Sequence, residues 1–382
     1  MHMFDTVTTS VARGPRGGVD WRMKVLVLFG TRPEAIKLAP VIHELRKRFF
    51  QTIVVSSSQH KHLLAPFLES LEIDVDFDLG VMRRNQVPNT ICSRVMAKLD
   101  KILDSEKPDL ILVQGDTTTT LAGALAGFNR KIPVGHVEAG LRSDHRRTAS
   151  DVNRIVTDRL STWHFTPSAD ADENLLAEGT GQSSISRVGN VMIDTLTRLL
   201  PGARPHAILQ MFGLMNGSGP KPYALVTLHT PANVDDEATL ERILDALSDV
   251  AAQIPVIFPV HPHTRARMKD HQLQFAGLLL TGPLTYLQFL GLQRHATVVV
   301  TDSGGVQEET TYLGVPCLTV RENTDRPVTV RLGTNTVVGS DPARLSGLVS
   351  DVLGGRGKRG TIPPMWDGKA GERIAECLVG RL

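Results

Sequence analysis

The sequence is short of cysteine, of long apolar runs and of net charge, and each shortage excludes a class of protein. Only three of its 382 residues are cysteines and no C-x-x-C pair occurs, so we expect neither a disulfide framework nor a structural zinc site. No apolar run approaches the ~18–20 residues of a membrane span, and a net charge of +2 does not suggest nucleic-acid binding. These shortages favour a cytoplasmic protein without a membrane or nucleic-acid partner.

The length and the remaining composition are typical of a soluble protein with two domains. Apolar residues make up 41% and charged residues 21% of a chain that is too long for one ordinary core. Residues 1–22 contain arginines but lack the apolar segment of a signal peptide, so we interpret them as a flexible leader. The fold is expected to begin near Met23.

Buried strands alternate with helices along most of the chain. The run "MKVLVLFG" is almost wholly apolar and ends in glycine, as a strand buried on both faces should. The helix predicted after it has Pro33 in its first turn and three basic residues at its end. Similar strands are predicted at "DLILVQGD", "IPVGHVEAG", "YALVTLH", "PVIFPVH", "TVVVTD" and "VPCLTV". Repeated units of this kind predict an α/β fold with parallel sheets covered by helices on both faces.

One stretch, residues 201–222, interrupts this alternation. It holds four prolines and four glycines, so we interpret it as a linker and surface segment. The chain is therefore predicted to form two doubly wound, Rossmann-like domains, at 23–200 and 201–367. Ligands of such folds bind at the carboxyl ends of the strands, so a cleft between the two domains would be lined by both sets of strand ends.

Polar residues follow the predicted strands at the points where those strands end. A lone acid in such a place is often only a helix cap or a loop hydrogen-bonding group. Six strand ends with polar residues make convergence in one cleft the better interpretation. These residues are Arg32, Lys37, Asp116, Glu138, His229, His261, Ser303, Gly304 and Gly305.

The segment "TDSGGVQEE" carries the most information of these. Ser303 can cap a helix, and the two glycines after it allow a close approach to a ligand. The free N–H groups and the positive dipole end of a helix N-terminus suit a phosphate. Glu308 and Glu309 lie one turn further on, where an acid can accept hydrogen bonds from ribose hydroxyls. The alternative is a capped helix with acids placed favourably against its dipole.

Four cations near the strand ends suit a pyrophosphate, because arginine can bind two oxygens at once. They are Arg32, Lys37, Arg142 and Arg154. We interpret Arg146 and Arg147, in the same loop as Arg142, as solvated surface charge.

Two patterns are set aside. "GRGKRG", at residues 355–360, matches a dinucleotide fingerprint, but it lacks a strand before it and a helix after it. The pairs His60/His62 and His261/His263 have neither a third ligand nor the spacing of a helical zinc site, so no metal is predicted.

Several longer motifs closely resemble the non-hydrolysing UDP-N-acetylglucosamine 2-epimerases. They are "LFGTRPEAIKLAPVIHEL", "VQGDTTTTLAGALAGF", "IPVGHVEAGLR", "GNVMIDTL" and "VVVTDSGGVQEETTYLGVPCLTVRENTDRP", within a resemblance that covers residues 23–380. The resemblance implies a GT-B fold of two Rossmann-like domains, with a C-terminal helix at 368–382 that crosses back onto the first. It also implies a homodimer that uses no NAD and no metal.

The resemblance implies an activity, the interconversion of UDP-GlcNAc and UDP-ManNAc through loss and re-addition of UDP. Asp116 and Glu138 match family acids involved in proton transfer, and His229 matches a histidine at the diphosphate. The nucleotide site would comprise Ser303, Gly304, Gly305 and Glu309. Arg32, Lys37, Arg154 and His261 match other cleft positions.

The chain also departs from the family's usual pattern. Ser150 replaces a glutamate that is a third proposed catalytic acid, and Asp151 replaces the glutamate after it. Thr230 replaces an arginine, and "QHKH" at 59–62 replaces a Gln-His-x-Gln run. By the resemblance, these two positions and that of Asp151 match a second UDP-GlcNAc site that activates some members. We therefore expect epimerisation by Asp116 and Glu138 without that activation.

Besides another UDP-N-acetylhexosamine as the substrate, three alternatives stay open. Loss of one acid could allow water to add, which would release ManNAc and UDP. A GT-B glycosyltransferase could use the same nucleotide end, although "GTRPEAIK" and "GDTTTT" match epimerases more closely. A UDP-sugar-binding protein without catalysis is the third.

Overall fold

Internal contacts divide the chain into two units in the computed structural model, which describes residues 23–57, 68–81, 86–143, 148–217, 219–270, 277–339 and 341–381. Unit 1 comprises Met1–Thr195 and Pro364–Leu382, and unit 2 comprises Leu196–Pro363. The predicted leader at 1–22 lies outside the described residues. No helix among the described ranges is long and apolar enough to cross a membrane.

Unit 1 is built on a seven-stranded sheet in which every neighbouring pair is parallel. Its strand order is β3-β2-β1-β4-β5-β6-β7, so the winding direction reverses between β1 and β4. The strands are β1 (Lys24–Phe29), β2 (Gln51–Ser56), β3 (Phe77–Asp78), β4 (Leu110–Gln114), β5 (Val134–Val137), β6 (Trp163–Thr166) and β7 (Ile185–Arg187).

Unit 2 has a six-stranded parallel sheet and a small antiparallel hairpin. The order of the large sheet, β12-β11-β10-β13-β14-β15, reverses between β10 and β13. The strands are β8 (Met215–Asn216), β9 (Gly219–Pro220), β10 (Ala224–Thr227), β11 (Val256–Pro259), β12 (Leu278–Thr281), β13 (Val298–Thr301), β14 (Cys317–Thr319) and β15 (Asn335–Val337).

Helices follow most of the strands, as the alternating pattern predicts. Their bounds are α1 (Arg32–Lys47), α2 (Pro88–Glu106), α3 (Thr118–Asn129), α4 (Ala149–Leu160), α5 (Ala169–Ala177), α6 (Val191–Leu199), α7 (Pro205–Met211), α8 (Pro231–Val234), α9 (Glu237–Ala251), α10 (Pro262–Asp270), α11 (Tyr286–Gln293), α12 (Gly304–Leu313), α13 (Pro327–Arg331), α14 (Arg344–Leu353) and α15 (Ala370–Val379). Short 3₁₀ helices occur at Gln182–Ser184 and Leu200–Gly202.

The central strands of the unit 2 sheet are covered on both faces, because alternate residues of β10, β11 and β13 enter different cores. Ala224 and Val226 of β10 pack in one cluster with α9 and α14, and Leu225 packs in the other with α7. This explains why the strands are nearly continuous apolar runs. The predicted parallel α/β architecture is confirmed.

The proline- and glycine-rich stretch 201–222 is not the linker that its composition suggests. It folds into α7 and the β8–β9 hairpin of unit 2. Ile208, Leu209 and Leu214 bury their side chains in the unit 2 core. The burial of these three side chains outweighs the breaking tendency of the neighbouring glycines and prolines.

The C-terminal helix α15 belongs to unit 1, where it packs against α1. A Cβ on Gly371 would lie 2.9 Å from the carbonyl of Pro40, so the two helices approach very closely. The Asp194 carboxylate accepts hydrogen bonds from the backbone N–H groups of Ala370 (3.0 Å) and Gly371 (2.7 Å). Asp194 therefore caps a helix that has no side-chain cap of its own.

Candidate active site

In unit 1, an ammonium and a carboxylate meet at the carboxyl ends of the strands. The Lys37 Nζ of α1 lies 2.6 Å from Glu138 Oε1, and both side chains are buried. Glu138 directly follows β5, and its second oxygen accepts a hydrogen bond from the Gln114 amide at the end of β4. The Glu138 side chain is therefore held from both sides.

The backbone of Glu138 is itself unusual. Its φ of 64° is in the left-handed region, which is uncommon for a residue with a long side chain. The Arg154 Nη1 donates to the Glu138 carbonyl at 3.0 Å and helps to hold this conformation. Strained backbone persists where surrounding contacts fix it, and such residues concentrate at functional sites.

Asp116 lies in the turn after β4 and shares an arginine with Glu138. The Arg154 Nη2 donates to Asp116 Oδ2 at 2.8 Å, and the Asn153 amide donates to the Asp116 carbonyl at 3.0 Å. The Asp116 side chain is 30% exposed, whereas that of Glu138 is 2% exposed. One arginine thus orients two acids, of which Asp116 is the more open to solvent.

The structure brings Lys37, Asp116, Glu138 and Arg154 together, whereas Arg142 binds two other carboxylates. The Arg142 guanidinium binds Glu178 through two bonds of 2.9 and 2.8 Å and lies 2.8 Å from Asp158. Two carboxylates therefore neutralise it. Its predicted contact with substrate stays a prediction.

Arg32 is the first residue of α1, in the turn that follows β1. The same turn contains Glu34, which sequence reasoning overlooked. Five donors reach its buried carboxylate: the N–H groups of Gly30 and Thr31 and the hydroxyls of Thr31, Thr117 and Thr120. Burial raises the pKa of Glu34, although these hydrogen bonds oppose the shift. Glu34 thereby joins the Arg32 turn to the start of α3, next to Asp116.

In unit 2, His229 and Asp302 pair at the ends of β10 and β13. The His229 Nδ1 lies 3.1 Å from Asp302 Oδ1, and the fully buried Asp302 also accepts from the backbone N–H groups of His229 and Thr230. Burial lowers the pKa of His229, but Asp302 raises it by more through its hydrogen bond and charge, so the net shift is upward. The ring nevertheless stays 42% exposed.

His261 follows β11, and its ring centroid lies 5.9 Å from that of His229. Both rings are exposed at the carboxyl edge of the sheet. Asp302, which orients His229, was not among the predicted site residues. Its position at the end of "TVVVTD" is the signal that could have identified it.

The segment at the start of α12 has an open helix N-terminus. Ser303 occupies the N-cap position but makes no side-chain cap bond, which differs from its predicted capping role. Ser303, Gly304 and Gly305 are each partly exposed. The uncapped N–H groups are therefore suited to an anion.

The body of α12 is tied to neighbouring segments. Arg326 donates to Glu308 at 2.8 Å, and a Cβ on Gly304 would lie within 2.4–2.8 Å of that guanidinium. Gly304 is therefore needed for packing as well as for access. The Tyr286 hydroxyl donates to the buried Glu309 carboxylate at 2.7 Å, and nothing in the sequence near Tyr286 signals this contact.

The positions that depart from the resemblance have distinct environments. Ser150 is exposed in the first turn of α4. Asp151 is buried and accepts from Thr148 Oγ1 at 2.5 Å and Ser143 Oγ at 2.8 Å. Thr148 caps α4 by accepting from the Asp151 N–H, and the Asp151 carboxylate fixes the Thr148 hydroxyl.

The G-x-G-x-x-G match at 355–360 and the His261/His263 pair lie within the described residues. "GRGKRG" lies in the turns after α14, where neither a strand precedes it nor a helix directly follows. His263 binds Asp235 at 2.7 Å. Over the described ranges, no group of three or more metal-ligating side chains comes together. His60, His62, Arg146 and Arg147 lie outside these ranges.

Comparison with known proteins identifies relatives that cover most of the chain. A family model described as UDP-N-acetylglucosamine 2-epimerase matches residues 43–379. The UDP-N-acetylglucosamine 2-epimerase of Methanocaldococcus jannaschii is 37% identical over 367 residues, which cover 94% of this chain and 99% of that protein. The protein of the same name from Escherichia coli O157:H7 is 38% identical over 371 residues, covering 93% and 98%.

Solved structures that are similar to this chain include enzymes of the same name. The crystal structure of the M. jannaschii UDP-GlcNAc 2-epimerase in complex with UDP-GlcNAc and UDP matches with a TM-score of 0.86 at 36% identity, covering 94% of this chain and all of that one. The Neisseria meningitidis UDP-GlcNAc 2-epimerase bound to UDP-GlcNAc matches with a TM-score of 0.85 at 34% identity and the same coverage. Together with the two Rossmann-like sheets, these matches confirm the predicted GT-B fold class.

Proposed function

The chain belongs to the UDP-N-acetylglucosamine 2-epimerase family of isomerases, and we propose that it interconverts UDP-GlcNAc and UDP-ManNAc without hydrolysis. The observation that carries this proposal is the joint orientation of Asp116 and Glu138 by Arg154, beside Lys37. Two acids held in fixed positions are what removal and return of a proton require.

The proposed reaction starts with loss of the nucleotide. The C1–O bond to UDP breaks as a proton leaves C2, which gives 2-acetamidoglucal and UDP. UDP then re-adds at C1, and a proton is delivered to the opposite face of C2. Because C2–H is not acidic until the C1–O bond loosens, the diphosphate charge must be stabilised first, and preorganised positive groups do this.

We assign the nucleotide end to unit 2. The open N-terminus of α12 at Ser303, Gly304 and Gly305 supports a diphosphate site. The raised pKa of His229 also favours an anionic ligand there. His261 lies beside His229. Glu309, with a carboxylate fixed by Tyr286, is assigned to the ribose hydroxyls.

We assign the chemistry at C2 to unit 1. Asp116 and Glu138 share the proton transfers, while Arg32, Lys37 and Arg154 are proposed to contact the substrate. The exposed position of Ser150 and the hydrogen bonds of Asp151 to Ser143 and Thr148 support a mechanism with two acids instead of three.

Product analysis in deuterated water tests this function. Purified enzyme and UDP-GlcNAc should give UDP-ManNAc with deuterium at C2, and NMR detects this product. Free ManNAc with UDP would show instead that water adds to the glucal, the alternative that the Ser150 exchange keeps open. Absence of both deuterium and UDP-ManNAc would refute epimerisation, and binding of UDP by calorimetry without turnover would then indicate a binding protein.

We further propose that UDP-GlcNAc does not activate the enzyme at a second site. Thr230, which stands in place of an arginine, has no cationic group, and Asp151 is engaged in unit 1. Progress curves that start from pure UDP-ManNAc should show no lag. A strong acceleration by trace UDP-GlcNAc would contradict this.

A homodimer in the cytoplasm is the assembly and location that we propose from the family resemblance. Light scattering of the purified chain gives the mass of the assembly. A monomer at the concentration of the activity assay would rule out the dimer.

A further inference from the structure

A fully buried histidine lies between the two turns that carry Asp116 and Glu138. His136 belongs to β5, two residues before Glu138. Its Nδ1 is 2.6 Å from Asp158 Oδ1, and its Nε2 is 2.8 Å from the Gly115 carbonyl oxygen. Burial alone would raise the pKa of Asp158, but His136 and Arg142 lower it to about 2. Both ring nitrogens thus lie within hydrogen-bond distance of oxygen atoms, so the ring is held from both sides.

The other member of this pair anchors the second turn. The Asp158 Oδ2 accepts from the Gly140 N–H at 3.2 Å and lies 2.8 Å from Arg142 Nη2. Gly115 and Gly140 have φ values of 80° and 79°, and a Cβ on Gly140 would lie 2.3 Å from the Ala171 carbonyl oxygen. Gly115 directly precedes Asp116, and Gly140 lies two residues after Glu138.

We propose that the hydrogen-bonded pair His136–Asp158 is a positioning element that fixes the separation of Asp116 and Glu138, with Arg142 as its third member. The histidine holds the turn before Asp116, and the aspartate holds the turn after Glu138. Arg142 offsets the charge of Asp158, and Glu178 in turn offsets that of Arg142. This proposal rests on the proposed function, because it concerns how the two acids are held for proton transfer.

A neighbouring histidine provides a matched control. His164 of β6 is the register partner of His136 and is also buried. Its Nε2 lies 2.8 Å from the Asp158 backbone carbonyl, and burial lowers its pKa. His164 thus borders the same aspartate, but it is not hydrogen-bonded to either turn through that nitrogen.

The test compares His136→Gln with His164→Gln in the full chain. Because displacement of reacting groups by an ångström can cost ~100-fold in rate, we expect kcat of the first variant to fall by about that factor, with KM little changed. The second variant should keep a kcat near that of the wild type, although both lose a buried histidine. Equal losses of kcat in the two variants, or an unchanged kcat in His136→Gln, would overturn the proposal.

Urea unfolding shows whether His136→Gln is folded, because His136 lies in unit 1 and UDP binding would report on the proposed site in unit 2. If it does not fold, Arg142→Gln replaces it, because Arg142 is less deeply placed than His136. A positioning role predicts a lower kcat with KM little changed. A higher KM with unchanged kcat would instead assign Arg142 to substrate binding and remove it from the positioning element.

Separate experiments distinguish the absence of the positioning role from the absence of the proposed function. If the wild type produces no UDP-ManNAc and exchanges no deuterium, the function fails. Crystal structures of the two histidine variants then decide the positioning role. A shift of the turns at 114–117 and 138–141 in His136→Gln, absent in His164→Gln, supports it, and unmoved turns in both contradict it.

Discussion

The strand ends of the two units hold their functional groups in different ways. In unit 1, Glu138 is paired with Lys37 and Asp116 with Arg154, and only 2% of the Glu138 side chain is exposed. In unit 2, the His229 ring is 42% exposed and the start of α12 has no side-chain cap. The first arrangement suits a fixed geometry, and the second suits an anionic ligand that enters and leaves.

The same contrast extends to titration. At the strand ends of unit 1 the buried side chains are paired, as in Lys37 with Glu138 and His136 with Asp158. In unit 2, the exposed His229 has a raised pKa, so its charge can change near neutral pH. Five substitutions can break or sharpen this comparison.

The largest expected effect is on the acids of unit 1. Glu138→Gln and Asp116→Asn should each lower kcat by about 1000-fold, because general acid–base groups contribute factors of ~10²–10⁴. UDP binding by calorimetry should hardly change, since the proposed nucleotide site lies in unit 2. Loss of UDP binding together with kcat would break the proposed division between the units.

A smaller effect is expected at the start of α12. Gly304→Ala places a Cβ within 2.4–2.8 Å of the Arg326 guanidinium, which is buried and paired with Glu308. We expect a loss of about 1–3 kcal/mol in the free energy of unfolding from this overpacking, together with weaker UDP binding. Gly347→Ala, which meets no atom within 4 Å, is the control. Equal stability and UDP affinity in both variants would contradict the packing role.

His229→Asn should weaken UDP binding by about tenfold, because a hydrogen bond to a charged group contributes ~1.5–3 kcal/mol. The pKa of His229 is raised, so the wild type should keep its affinity at low pH and lose it as pH rises through the folded-state value. The variant should lack this pH dependence. Calorimetry across neutral pH measures both, and the same pH profile in the variant would assign the titration to another group.

The smallest effect on activity is expected for Asp194→Asn, far along the chain from the acids. Burial raises the pKa of Asp194 from 3.8 to about 6. The wild type should therefore lose stability as pH rises from about 4 to about 6, by about 3 kcal/mol at most. Urea unfolding should show that this slope is absent in the variant, whereas kcat stays near the wild-type value. An unchanged slope would mean that Asp194 is not its source.

Much of the fold could be predicted because buried parallel strands have an unambiguous pattern. "DLILVQGD" predicted β4 and the turn with Asp116, and "TVVVTD" predicted β13 with Ser303 after it. The stretch 201–222 was misjudged because three apolar side chains found partners in a distant part of the chain. Local composition carries no information about such partners.

The site was predictable in its positions but not in its contacts. Strand ends indicated Glu138, yet nothing in the sequence indicates its positive φ or its ion pair with Lys37, more than a hundred residues away. Arg142 shows the same limit, because its carboxylate partners come from α4 and from the end of α5. Residue type and spacing suggested a phosphate ligand where the fold supplies Asp158 and Glu178.

The central claim is that fixed acids exchange one proton at C2 while UDP leaves and returns. NMR of the products formed from UDP-GlcNAc in deuterated water tests it most directly. We expect UDP-ManNAc with deuterium at C2 and no accumulation of free ManNAc. UDP-ManNAc that keeps the original hydrogen at C2 would contradict it, because inversion would then proceed without proton exchange.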